Sequence, residues 1–210
     1  MLPRLTRTRL GLSLLFLGAT LVWLSTRGLD PLTATLQAGA LGAIIGAAAI
    51  AGRESDHAAL TIALTHPTTP LAIAVGRWLA LVVPAAVLTI ACATTIGFHA
   101  RSVMAGIAAA AAVGACALGV VLLIGRGTAA ALFLFMAVAG TVAPERLIDL
   151  ARPGLVRLTA ASALELGPAL WHYRDIVTGD VGALLHALAW TGLGILLASG
   201  AVARCRSGLH

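Results

Sequence analysis

The chain has 210 residues, of which 60% are hydrophobic and only 10% are charged. A soluble domain carries about 25% charged residues, so this composition excludes a water-soluble fold, and one secretory signal peptide does not account for apolar blocks spread over the whole length. The formal net charge is +6 and all fourteen basic residues are Arg; no basic run is long enough for a nucleic-acid surface, so the charge reads as loop charge that orients the chain in a membrane.

A helix crosses a bilayer with about 20 apolar residues. On that measure the sequence predicts an all-α integral membrane protein, a single transmembrane domain over residues 1–210 with six spans. The first covers residues 10–25, preceded by Arg4, Arg7 and Arg9 and followed by Arg27 and Asp30. The second covers 32–51 and contains Gly42 and Gly46, a GxxxG spacing that permits close helix approach or serves as ordinary packing in an Ala/Gly-rich bundle. The same span holds Thr35 and Gln37, read either as translocation-path residues or as interhelical hydrogen-bonding groups. The third span covers 71–98, with Pro84 as a kink site, and the fourth covers 103–124 between Arg101 and Arg126. A short fifth covers 127–142 and ends at Ala143-Pro144-Glu145. The sixth covers 181–203; its His186 reads either as a translocation-path residue or as an outer-interface residue.

Six spans place both termini on one side. That side receives Arg4, Arg7, Arg9, Arg53, Arg77, Arg126, Arg204 and Arg206, and the other receives Arg27, Arg101, Arg146, Arg152, Arg157 and Arg174. The last four belong to the longest loop, where the positive-inside rule weakens. Short flanks alone therefore stand at eight against two. The expectation is a multi-pass protein of the bacterial cytoplasmic (inner) membrane with both termini cytoplasmic. Residues 143–180, on the outer side, are too apolar for a free loop and are broken by Pro144, Pro153, Gly154, Gly167 and Pro168. They read as a half-buried segment of two or three short helices, with Trp171 and Tyr173 at the interface.

No catalytic or metal-binding set is predicted. Cys92, Cys116 and Cys205 form no CxxC or Cys/His cluster. His57, His66, His99, His172 and His186 are scattered along the chain, and the spacing of Asp149, Glu165, Asp175 and Asp180 builds no acid–base pair.

Residues 52–70 form the cytoplasmic connection between spans 2 and 3. Ser55 suits an N-cap and Asp56 the positive end of a helix. Leu60 and Leu64 share one face of that short helix, and His66-Pro67 stops it. Thr69-Pro70 then starts the next span, with Thr as cap and Pro in the first turn. This stretch resembles the coupling-helix region of the type-2 ABC export permeases. Glu54 and Asp56 match their acidic pair, Leu60 their leucine, Pro67 their proline, and Gly76-Arg77-Trp78-Leu79-Ala80 the element that follows at the family's spacing. Ala58, His66 and Pro70 depart from the pattern, standing where Gly, Ser/Thr and a basic residue are usual. Gly167-Pro168-Ala169-Leu170-Trp171 resembles that family's outer helical element.

The resemblance implies a permease subunit, itself no enzyme, whose coupling residues are Glu54, Asp56, Leu60, Leu64 and Pro67. It implies two ATP-binding subunits and a second permease copy, identical or homologous, in membrane lipid. The chain has no G-x-x-x-x-G-K-[ST] phosphate loop, so ATP and magnesium would sit in the partner subunits. Alternative readings are a haem-export permease of cytochrome c maturation, similar in length and span number, and a non-transport assembly factor or intramembrane enzyme.

The charge distribution makes a topology prediction. In a Cys205→Ser background, single cysteines at Ser207 and Asp175 should be labelled by an impermeant reagent from opposite sides of intact cells. Labelling of both from one side defeats the six-span arrangement.

Overall fold

Long Ala/Leu/Val-rich blocks with Gly and Pro at their ends form helices in lipid, because each backbone N–H and C=O must be bonded within its own segment. The computed structural model describes the backbone of residues 2–54, 68–97, 99–139 and 167–207, and the side chains of 9–50, 68–97, 99–138 and 167–204. Helix α1 is Leu2–Thr26, α2 Pro31–Glu54, α3 Pro70–Ile96, α4 Ala100–Ile124, α5 Thr128–Ala139, α6 Leu170–Arg174 and α7 Val181–Ser207, with a 3-10 turn at Asp175–Thr178. All regular structure among the described residues is helical.

Five helices, α1, α2, α3, α4 and α7, are long and apolar enough to cross a membrane. The predicted fifth span is represented by α5, whose 12 described residues reach about 18 Å at 1.5 Å per residue, against a core of about 30 Å. Residues 140–166 lie outside the described residues, and with them most of the predicted outer segment. Several helices also outrun their predicted spans. α1 begins at Leu2, α4 begins at Ala100 and takes in Arg101, and α7 runs to Ser207. Bilayer thickness limits the apolar block, whereas the helix continues into charged turns until a breaker stops it. Breakers are present after α3 and α4, where Gly97 and Gly125 take φ of +142° and +121°, a region open to glycine. α3 continues through Pro84 as one helix.

The core is built on two parallel helices, α2 and α4. A Cβ on Gly39 would collide with the backbone carbonyl of Gly106, and one on Gly106 would meet the backbone of Thr35. Further along, a Cβ on Gly114 would lie 2.5 Å from Leu81 and 3.0 Å from Ala43. α3 runs antiparallel beside them: Gly42 faces Ala85 and Leu88, and Gly46 faces Leu81. α7 lies parallel to α4, with Gly194 against the backbone of Ala115 and Cys116, and Gly119 against Leu197. Missing side chains thus set every close crossing of the core. α2 is the innermost helix, 78% of its apolar window being buried, whereas the windows of α1 and α7 are buried to 17% and 22%.

The outer surface is correspondingly apolar. Leu12, Leu15 and Phe16 on α1, Val83 and Val87 on α3, and Leu185, Leu188 and Leu196 on α7 all point outward. Apolar surface on this scale is the exterior of a membrane protein.

Gly39→Ala drives a methyl into backbone and should destabilise the bundle by about 1–3 kcal/mol, the usual cost of overpacking. Gly192→Ala, with open space around its Cβ position, should be neutral or stabilising. Thermal unfolding in detergent compares the two. Equal melting temperatures for Gly39→Ala and the wild type would show that this crossing does not limit stability.

Candidate functional site

Two ends of the bundle carry the polar chemistry. The first holds the end of α2, the start of α3 and the turn between α4 and α5. α2 is helical through Glu54, the last residue described before the coupling-like segment. Gly52 alone does not stop the helix, and Arg53 and Glu54 are good helix formers. The side chain of Glu54, and Asp56, Leu60, Leu64 and Pro67 entirely, lie outside the described residues. α3 starts as its sequence predicts: the hydroxyl of Thr69 accepts from the N–H of Ala72 at 3.2 Å, and Pro70 occupies the first turn.

Gly76 on α3 faces open space. Arg77, one residue on, is only 9% exposed. It therefore lies within the bundle rather than in a solvated loop, and a buried cation in a span marks a functional candidate. Trp78 donates its indole N–H to the carbonyl of Ala111 at 3.0 Å, tying the start of α3 to α4. Gly42 and Gly46, about three and two turns before Glu54, both face α3. The two helices that border residues 55–67 are thereby held face to face.

Thr35 and Gln37 belong to the opposite half of α2 and are 2% and 3% exposed. Gln37 donates to the carbonyl of Ala137 on α5 at 2.9 Å, and Thr35 donates to the carbonyl of Pro31 in its own helix at 2.8 Å. These polar groups are spent on backbone carbonyls inside the bundle.

The second polar end gathers the 26–31 turn, the 97–100 turn and residues 169–182. Asp30 caps α2, accepting from the N–H and hydroxyl of Thr33 at 3.1 and 3.0 Å. It also pairs with Arg174 of α6 at 2.7 Å. Arg101 of α4 donates to the carbonyl of Val177 at 3.1 Å. These two links hold a strap, Leu170–Thr178, against the bundle.

Behind the strap lies a cluster that sequence spacing did not reveal. His172 stacks on Trp171 with ring centroids 4.0 Å apart and lies 5.1 Å from His186 of α7. Tyr173 lies 5.8 Å from His186. Trp190 donates its indole N–H to His186 Nε2 at 3.0 Å. The thiol of Cys116 on α4 lies 3.6 Å from the carbonyl of Trp190. Tyr173, expected at the membrane interface, is fully buried, and burial pushes its phenol well above the usual value, so it remains a neutral O–H. Two of the five scattered histidines therefore meet. The legible signals were His186 and Trp190 at i, i+4 on one helix face, and the run Trp171-His172-Tyr173 of polar aromatics. Among the described residues no group of three or more His, Cys, Asp or Glu side chains comes together to hold a metal.

Two apolar clefts flank α2 on the side of α5. One, of about 600 Å³, lies between α1, α2 and α5 and includes Phe16, Thr20, Ile45 and Phe133. The other, of about 530 Å³, includes Ile44, Ala48 and Phe133 and extends to Arg126. Comparison of the chain with protein-family models, with curated proteins and with solved structures gave no match.

Asp30 joins a helix cap to an exposed ion pair, and their magnitudes differ. Losing a cap costs about 1 kcal/mol, whereas an exposed pair contributes about 0–1 kcal/mol. Asp30→Ala should therefore lower the melting temperature more than Arg174→Gln does. Arg174→Gln should remain close to wild type, and a larger loss for Arg174→Gln would assign the strap's attachment to the ion pair.

Proposed function

We propose that this chain is the membrane-spanning permease subunit of an ABC exporter, working as a pair of permeases in the bacterial cytoplasmic membrane. One observation carries the reading. The two helices bordering the coupling-like segment, α2 and α3, are packed against each other through Gly42 and Gly46. A short segment joining two such helices acts as a handle on both. ATP-driven closure of two ATP-binding subunits would push that segment from the cytoplasmic side. α2 would tilt with α3 as one body, and α4 would follow through its glycine contacts with both. Rigid-body switching of packed helices is a standard mode of conformational change. A path would then open between two permease copies, and the outward apolar faces would meet lipid and the second copy.

Two sequence features add to this reading. Glu54 and Asp56 supply an acidic end to the segment, and Leu60 with Leu64 supplies an apolar face for a groove in the ATPase. The chain has no phosphate loop of its own, so the energy must come from a partner. Arg126 and the clefts beside α5 offer a lateral, lipid-facing approach to the bundle.

The decisive experiment alters the segment without touching the spans. Leu60→Asp would place an unpaired charge in an interface that excludes water, at a cost of several kcal/mol. Recovery of the ATP-hydrolysing subunit with the purified permease should fall at least about tenfold, which corresponds to about 1.4 kcal/mol. The melting temperature of the permease itself should not change. Glu54→Ala with Asp56→Ala should weaken recovery in the same direction. Wild-type recovery of the ATPase and ATP-driven transport with Leu60→Asp would refute the assignment.

A further inference from the structure

The cluster between the strap and α7 is unusual in its hydrogen-bond balance. Four buried polar atoms lack a partner: Trp171 Nε1, His172 Nδ1, the Tyr173 hydroxyl and His186 Nδ1. An indole nitrogen only donates, and the phenol carries a proton to give. The tautomer of His186 follows from Trp190. Because the Trp190 N–H donates to His186 Nε2, that nitrogen must accept, so the proton of the neutral ring sits on Nδ1. Three of the four atoms are therefore donors without acceptors, and His172 Nδ1 completes the group. Among the described residues no neighbouring carboxylate answers them. Asp30 is engaged by Arg174 and Thr33, Asp180 by the N–H of Gly182, and Asp175 is exposed. The same tautomer argues against a metal, since Nε2 of His186 is covered by an N–H and Nδ1 carries a proton.

Buried donors without acceptors are costly, and buried polar groups are bonded in the great majority of cases. A cluster of four on two facing elements implies a missing acceptor. We propose that the strap and α7 form a binding site for an oxygen-rich acceptor group, a carboxylate or a phosphate, which takes hydrogen bonds from Trp171, Tyr173 and His186. The structure holds the site shut, with the strap fixed by Arg174 to Asp30 and by Arg101 to the carbonyl of Val177. Both links are exposed, whereas Leu170, Tyr173 and Ile176 of the strap are buried in the core, so access to the donors requires these side chains to give way. The site is defined by its own donors and needs no ATP-binding partner, so its failure would leave the permease reading intact.

The test uses the full chain in nanodiscs and follows tryptophan fluorescence, since Trp171 and Trp190 both lie in the cluster. Inorganic phosphate and acetate serve as free anions, and nanodiscs containing phosphatidic acid, compared with phosphatidylcholine alone, serve as the headgroup source. A saturable response is expected. Response to the free anions identifies a soluble ligand, and response to phosphatidic acid alone identifies a lipid headgroup; either supports the site. Trp171→Phe and Tyr173→Phe each keep a ring and remove one donor. Each should weaken the apparent affinity about 10- to 100-fold, the worth of one hydrogen bond to a charged acceptor. Each should also raise the melting temperature of the unliganded protein, because an unbonded buried donor has been removed. No saturable response to any probe, or unchanged affinity in both variants, would overturn the proposal. So would a lower unliganded melting temperature in both variants, because the donors would then already be bonded within the protein.

Discussion

Within a bilayer, apolar side chains gain nothing by leaving lipid for one another, so helices associate through close contact and hydrogen bonds. Everything in this bundle rests on one such contact, the crossing of α2 and α4 at Gly39 and Gly106. With no Cβ on either residue, backbone meets backbone, and the Ala-rich faces of both helices pack along their lengths. α3 then fits against the Gly42–Gly46 edge of α2, and α7 against Gly119 of α4 through its own Gly194. Many large side chains face outward, while Leu36, Ile44, Leu81 and Leu118 fill the interior between the small residues. The same constraint gives a core that carries α2, α3 and α4 as one unit.

Around this core the polar groups divide into two kinds. Gln37 and Thr89 are buried and Trp78 is half-buried, each with a donor bonded to a backbone carbonyl. Gln37 and Trp78 bond across helices and Thr89 within its own, and all three cost little because these donors have acceptors. The strap cluster is of the other kind. His172, His186, Tyr173 and Trp171 are brought together by packing yet keep buried atoms without partners. In the proposed reading the satisfied core would transmit force between the ends of the bundle, and the unsatisfied cluster would recognise a chemical group at one end.

The two polar ends also differ in construction. Where α2 ends and α3 begins, the chain uses helix-terminal devices: a threonine cap, a first-turn proline and a glycine seam that couples the two helices. At the other end it uses side-chain links across elements, Asp30 to Arg174 and Arg101 to Val177. The first arrangement is stiff along the helix axes. The second combines exposed links of modest strength with the burial of Leu170, Tyr173 and Ile176 in the core.

Sequence alone determined that the described residues form apolar helices, and of the six spans it predicted five are helices long and apolar enough to cross a membrane, because bilayer thickness and backbone satisfaction leave few alternatives. It also identified the Thr69-Pro70 start of α3, since capping is a local interaction of neighbouring residues. The connection it places at residues 52–70 begins within α2, which is helical through Glu54, and the residues from 55 to 67 lie outside the described ones. Only the tertiary structure decided that Arg77 and Tyr173 are buried, that Gln37 bonds to α5, and that Gly39 rather than the GxxxG pair makes the α2–α4 crossing. The same is true of His172 and His186, fourteen positions apart on separate helices. Which faces of helices meet depends on the fit of small residues across the bundle, and no local pattern of sequence encodes that fit.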